Sequence, residues 1–494
     1  MKIALVWPLG FDTNYVLPIA LGYLKSNLDN EKHEVKIVDC ALNNWSSESK
    51  EFKQIMNEFQ PDVVGVSCWS INYREVVELA NNLKAENQDV ITICGGCHAT
   101  AYPESLLNND FDFVFRGEAE LSFPFFLEEV QKEKPDWSRV KGLSYLQEGQ
   151  LVDNPVDKPQ ELDVIKTPNY DDVNLETYFK KGYRLDSGNL RHAPIWTTRG
   201  CPYTCEFCST YLLNGYSIRK HSMDYVIDWV KHLYYDKNIR QVNIIDDNFT
   251  FHIEYAKEFC NRIIELNLKG LTLFTPNEIR VQKTDEELLR LMKKAGWNSV
   301  SIAPESGSFR VLKLMSKGLN PDMIPQKVEL IKKVGLKVQG TFIIGYPGET
   351  KEDLDMTIKF IRKCKFNFFF LNTFQPLPAT KIYDKLVEEG KIKKGVLPQD
   401  FSSGKAVYVG EELKDVNFAL LRLREYAYLA LTNPLNIPYM IKFGGLGMIA
   451  NKIISNITNV FKSKPVFNHV EEDADDKSKT FKTVEREKNI VLVD

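Results

Sequence analysis

Three cysteines, Cys201, Cys205 and Cys208, fall within eight positions of the stretch Thr198-Arg199-Gly200-Cys201-Pro202-Tyr203-Thr204-Cys205-Glu206-Phe207-Cys208-Ser209. Clustered thiolates are soft ligands for zinc or for iron–sulfur centres, and the number of donors separates the two. A structural zinc ion needs a closed set of four, so this loop would have to recruit a partner such as Cys260 or His221. A [4Fe–4S] cluster on three cysteines instead keeps one iron open, and an open site is a place to bind and activate a substrate.

Other reactive side chains stand where apolar runs stop. In the first 130 residues these are Ser67, the turn Cys94-Gly95-Gly96-Cys97-His98, and the turn Arg116-Gly117-Glu118-Ala119-Glu120. Glycine there lets a bulky ligand approach the backbone, though turns of such folds need glycine in any case. The turn Cys94 to His98 also fits the covalent haem pattern, but Cys94 ends a buried strand and no export signal is present. His98 is either a loop histidine near a cofactor face or a turn residue. Further along come Asp246-Asp247-Asn248, Ala303-Pro304-Glu305-Ser306-Gly307 and Gly340-Thr341-Phe342-Ile343-Ile344-Gly345-Tyr346-Pro347-Gly348-Glu349. On their own, the aspartates could cap a helix, the glycines could mark a bulge and a turn, and Glu349 could be an early-helix acid.

The elements that position these residues repeat. Runs at Ile3–Trp7, Val35–Val38, Val63–Ser67, Val90–Ile93 and Phe111–Phe115 alternate with helical periods at Pro18–Leu28, Lys50–Glu58 and Tyr73–Ala85. That pattern predicts a doubly wound parallel sheet, which binds ligands beyond its carboxyl ends. Residues 131–193 read as a hairpin (Lys141–Leu146 and Leu151-Val152) followed by a proline-bearing linker. After the cysteine loop, strands at Gln241–Ile245, Leu271–Thr275, Ser299–Ala303, Val338–Ile344 and Phe366–Phe374 alternate with helices over residues 194–390, and chemistry in such barrels gathers at the carboxyl ends of strands. Phe366, Phe368 and Phe370 read as core packing.

The C-x3-C-x2-C loop, with an aromatic before its last cysteine, resembles that of the radical S-adenosylmethionine (SAM) enzymes. The turns of residues 1–130, with Leu17-Pro18-Ile19-Ala20-Leu21-Gly22 and Pro61-Asp62-Val63-Val64-Gly65-Val66-Ser67, resemble the cobalamin-binding domain that precedes many of them. This resemblance implies an α/β chain: a cobalamin-binding-like sheet, a partial (β/α)6 barrel and a mainly helical C-terminal region. It implies a [4Fe–4S] cluster on Cys201, Cys205 and Cys208, with SAM contacted by Phe207, Asp246, Asp247, Glu305, Ser306, Gly340, Ile343 and Gly345. Cobalamin would meet Ser67, Gly95, Gly96, His98, Gly117 and Glu118. The Asp-x-His-x-x-Gly motif that gives cobalt a histidine is missing, since the first loop reads Trp7-Pro8-Leu9-Gly10-Phe11-Asp12. The implied activity is methylation of an unactivated carbon, using one SAM for the methyl group and another for the 5′-deoxyadenosyl radical, with a flavodoxin- or ferredoxin-type electron donor. The alternatives are a radical cyclisation, oxidation, rearrangement or coupling on a lipid-like metabolite with cobalamin idle, and a non-enzymatic iron–sulfur or zinc protein. No acid or base at a substrate site is evident.

With 494 residues, two or three domains are expected. The 63 basic and 67 acidic side chains leave a net charge of −4, which favours no nucleic-acid partner. No apolar run of about 18 residues occurs, and nine cysteines without a leader predict a cytoplasmic protein. Beyond residue 390, Asp415–Leu431 has a helical period, and Leu446, Ile449, Ile453, Ile454, Ile457 and Val460 share one apolar face. That face either packs on the barrel or lies at a membrane interface near a lipid substrate. Residues 391–465 read as a specificity region, and the charge-dense 466–494 as disordered.

Overall fold

The computed structural model describes residues 1–10, 17–181, 191–395, 408–438 and 440. Its first unit is a seven-stranded sheet: β1 (Lys2–Trp7), β2 (Glu34–Asp39), β3 (Val63–Ser67), β4 (Ile91–Gly95), β5 (Phe113–Phe115), β6 (Leu143–Gln147) and β7 (Gln150–Asp153). The spatial order is β2-β1-β3-β4-β5-β6-β7. The first five strands pair in parallel; β1 and β3 are buried on both faces, hence their near-continuous apolar runs, whereas the edge strand β2 exposes Glu34 and Lys36. The hairpin β6–β7, which the sequence places in the join, extends this sheet antiparallel to β5. The linker then runs back along the first unit, where Lys25 pairs with Asp172 and the Tyr178 hydroxyl donates to Asp39 at 2.6 Å.

The second unit contains β8 (His192–Ile195), the short ribbon β9 (Thr198–Arg199) with β10 (Arg219–Lys220), β11 (Gln241–Ile244), β12 (Thr272–Phe274), β13 (Ser299–Glu305), β14 (Lys337–Ile344) and β15 (Phe368–Thr373). Two parallel sheets, β12-β11-β8 and β13-β14-β15, are joined by the bridges Leu273–Trp297 and Ile279–Ile302. The result is a six-stranded open barrel, β8-β11-β12-β13-β14-β15. Phe366, Phe368 and Phe369 are buried, and Phe368 stacks on Tyr426 at 5.8 Å. Tyr426 belongs to the helix Phe418–Thr432, which is also fastened by the two-pronged Arg362–Glu425 pair at 2.8 and 2.7 Å. No helix among the described residues is long and apolar enough to cross a membrane. The apolar face from Leu446 to Val460 and the charged tail lie outside the described residues.

Candidate functional site: a cysteine loop facing a nucleotide-type sheet

The cysteine loop leaves β9 and returns through β10, and acidic residues after β11 hold it from below. Asp246 is buried and accepts from the Thr197 amide at 2.7 Å, from the Thr197 hydroxyl, and from the Thr198 hydroxyl at 2.8 Å. Burial pushes its carboxyl up to about 6, against the pull of these donors. Asp247 accepts from the Gly200 amide at 3.0 Å and from the Asn214 side chain at 2.8 Å. The amide of Cys201 donates to Gly215 at 3.1 Å, and that of Glu206 to Met315 at 3.0 Å. The loop is therefore fixed by both the barrel and its own return strand.

Cys201, Cys205 and Cys208 line one cavity of about 370 Å³, together with Phe207, Tyr203 and Asp247. The opposite wall is ionic. Lys317 donates to Glu305 at 2.8 Å, and Glu278 stands beside that pair, held up at about 7 by burial and then by the Glu305 charge. Arg280 lies over the Tyr203 ring at 3.6 Å and donates to the carbonyl of Lys317 at 2.6 Å. Glu278 and Glu305 both take left-handed backbone angles, φ +71° and +63°. Such angles cost a non-glycine residue on the order of 1–3 kcal/mol and concentrate at binding sites.

Both residues that could have closed a zinc site are committed elsewhere. Cys260 is buried within the helix Ile253–Leu266, while His221 is buried, bonded to Asp163 at 2.9 Å and stacked on Tyr225. Among the described residues no set of His, Cys, Asp and Glu forms a ready-made metal cage. The donor set at the cavity is three cysteines, which fits a cluster with one iron left open better than a closed zinc ion.

The structure brings only some of the expected SAM residues to this cavity: Phe207, Asp247 and Glu305 line it. Asp246 does not, because its carboxylate is consumed in tethering Thr197 and Thr198. Ser306 is buried against Thr357 at 3.0 Å. Gly340 faces the Phe342 and Phe366 rings, and Ile343 packs half-buried on the core. Gly345 donates its amide to Glu349 and sits against Phe418, so this element is a self-closing turn beneath the C-terminal helix. Glu278, Arg280 and Lys317 escaped the sequence reading. The first two follow β12 at a strand end, a signal that could have found them, whereas Lys317 lies in a loop that no pattern marks.

The carboxyl end of the first sheet faces this loop. The helix Cys97–Ala101 packs on the helix Thr210–Asn214, and the Tyr102 hydroxyl accepts from the Ala379 amide at 2.9 Å. Ser67 is buried at the end of β3, a side chain at Gly95 would only touch Phe115, at 3.9 Å, and Gly96 passes so close to Cys68 that a side chain would stand 2.7 Å from its carbonyl. Two expectations are corrected here. His98 is fully buried, with one ring nitrogen 3.0 Å from the Ser70 hydroxyl and the other 3.1 Å from Ser105, so its ring is turned into the packing and not toward a cofactor at the sheet edge. Glu118 turns to the barrel and accepts from Arg199 at 3.1 Å and Arg219 at 3.0 Å, while Gly117 sits against Val156.

The radical SAM superfamily model matches residues 195–361, and the B12 binding domain model matches residues 13–127. An uncharacterized methyltransferase of Pyrococcus horikoshii is 31% identical over 371 residues, covering 74% of this chain and 78% of its own length. The cytidylyl-2-hydroxyethylphosphonate methyltransferase of Streptomyces wedmorensis is 28% identical, covering 76% and 78%. Among solved structures, the radical SAM methyltransferase TsrM of Kitasatospora setae, with cobalamin and a [4Fe–4S] cluster bound, aligns with a TM-score of 0.66 at 19% identity over 78% of each chain.

Proposed function

We propose that this chain, which belongs to the family of radical SAM enzymes carrying a B12-binding domain, is a methyltransferase acting on an unactivated carbon of a small molecule. The observation that carries the reading is the placement of a three-cysteine loop, with no fourth metal ligand beside it among the described residues, against the carboxyl end of the B12-type sheet. When bound, the cluster supplies the electron that cleaves SAM to a 5′-deoxyadenosyl radical, and cobalamin supplies methyl-transfer chemistry.

The chain's own residues prepare that chemistry. Cys201, Cys205 and Cys208 would hold the cluster, with Phe207 lining the same cavity beside them. The ionic wall suits a zwitterion: Glu278 and Glu305 meet an ammonium, Lys317 and Arg280 a carboxylate, which matches the amino acid moiety of SAM. The exposed Trp69 and Ile71 after β3 offer a bulky ring an apolar surface. His98, locked between two serines, gives cobalt no ligand. An external electron donor of the flavodoxin or ferredoxin class completes the requirement.

Electron paramagnetic resonance of the reduced, reconstituted cluster tests the site. Adding SAM should change the spectrum, because SAM binds the open iron. An unchanged spectrum at saturating SAM contradicts the reading.

A further inference from the structure

In the ribbon that opens and closes the cysteine loop, Arg199 of β9 pairs directly opposite Arg219 of β10. Directly opposed residues stand about 4.5–5.5 Å apart, and like charges so placed repel. Both arginines are nearly inaccessible, 2% and 5% exposed, so water screens little of that repulsion. Within the loop, Arg219 finds only the Asn214 carbonyl, at 3.2 Å.

The neutralising charge comes from the other domain. Glu118, with its side chain 6% exposed, sits between the two guanidiniums. It accepts from Arg199 at 3.1 Å and takes Arg219 on both oxygens. Glu120 meets Arg199 from the other side at 2.7 Å. Lys158, from the linker, brings a third cation to the edge of Gly215 and feels both Glu118 and Asp247. The cations Arg199, Arg219 and Lys158 are thus matched by Glu118, Glu120 and Asp247, and two of these anions belong to the B12-binding domain. Tyr23 of that domain also lies under the Arg199 guanidinium at 5.1 Å.

We propose that Glu118 is a positioning residue that completes the cysteine loop from outside the barrel: it joins two like-charged strands, so cluster retention depends on docking of the B12-binding domain. Without it, the ribbon carries an uncompensated buried cation, and breaking a buried pair by removing one partner is strongly unfavourable. The loop then opens at Arg219, the strand through which it returns to the barrel.

The test measures iron per chain and the rate at which a chelator strips the cluster from anaerobically reconstituted, full-length protein. It rests on the cluster assignment, and a readout that needs no iron separates the two: if wild type holds no iron the assignment fails, and limited proteolysis between Arg199 and Arg219 must still be faster in Glu118→Gln and restored by adding Arg219→Gln, or the clasp fails as well. With a loaded wild type, Glu118→Gln should lose its cluster on the order of tenfold faster. Glu118→Gln/Arg219→Gln, which restores the charge balance, should return to within about threefold of wild type. A merely structural role would make the second substitution add to the first. Unchanged stripping in Glu118→Gln, or a double variant as fast as the single one, overturns the proposal. If Glu118→Gln alone does not fold, the double variant still decides, since recovery of a folded, loaded chain supports the clasp and equal failure overturns it.

Discussion

The Cβ that Gly200 lacks would stand 2.2 Å from the carbonyl oxygen of Ser217, on the returning side of the cysteine loop. Gly200 also sits at φ +104°, where an L-residue is strained whatever the space. Gly200→Ala must push the two sides of the loop apart, one residue before Cys201. A loss of stability on the order of 1–3 kcal/mol is expected, together with an iron content well below wild type after identical reconstitution. Gly149, also at positive φ but with open space around it, provides the control: Gly149→Ala should leave the iron content unchanged.

Glu349 predicts a pH dependence. Its side chain is buried, and although the Gly345 and Tyr346 amides donate to it, burial dominates and pushes its carboxyl up to about 7 from 4.5. The neutral form is therefore favoured in the fold. Stability from this group is full below about pH 4.5 and is lost as pH rises to about 7. Glu349→Gln keeps an acceptor for the two amides and removes the charge. Denaturant midpoints at pH 5 and pH 8 should lie closer together in the variant than in wild type.

His98 yields a spectroscopic prediction. Burial holds it down at about 4, and its ring packs on Tyr73 and Tyr102 with both nitrogens against serine hydroxyls. It is neutral at pH 7 and structural. His98→Gln should leave the paramagnetic resonance spectrum of bound cob(II)alamin unchanged while lowering thermal stability. A changed nitrogen splitting would place His98 on cobalt after all.

The parts of this site legible in the sequence are those set by local spacing. Cys201, Cys205 and Cys208 are close in the chain, so their convergence on one cavity needs no knowledge of distant residues, and alternating strands and helices reveal the two α/β units. What stayed hidden is decided by distant partners. An aspartate after a barrel strand can face a ligand or tie down a neighbouring loop. Asp246 does the second because Thr197 and Thr198, nearly fifty positions earlier, bring it three donors. Glu118 ends a sheet strand like any ligand-binding residue, and only the approach of Arg199 and Arg219 from the other domain turns it into a bridge. Lys317 enters the cavity from a loop with no period. The β6–β7 hairpin was visible as a hairpin, but its attachment to β5 rests on Val114 pairing with Ser144, thirty residues on.

If one loop and one sheet together serve SAM cleavage and methyl transfer, the nucleoside products report it. Anaerobic incubation of the reconstituted protein with SAM and a reductant, with and without cobalamin, followed by separation of the nucleosides, should give 5′-deoxyadenosine in both, S-adenosylhomocysteine only with cobalamin, and neither product from Cys208→Ala. Cluster-loaded protein that yields no deoxyadenosine, or a Cys208→Ala variant that cleaves SAM at the wild-type rate, would contradict it.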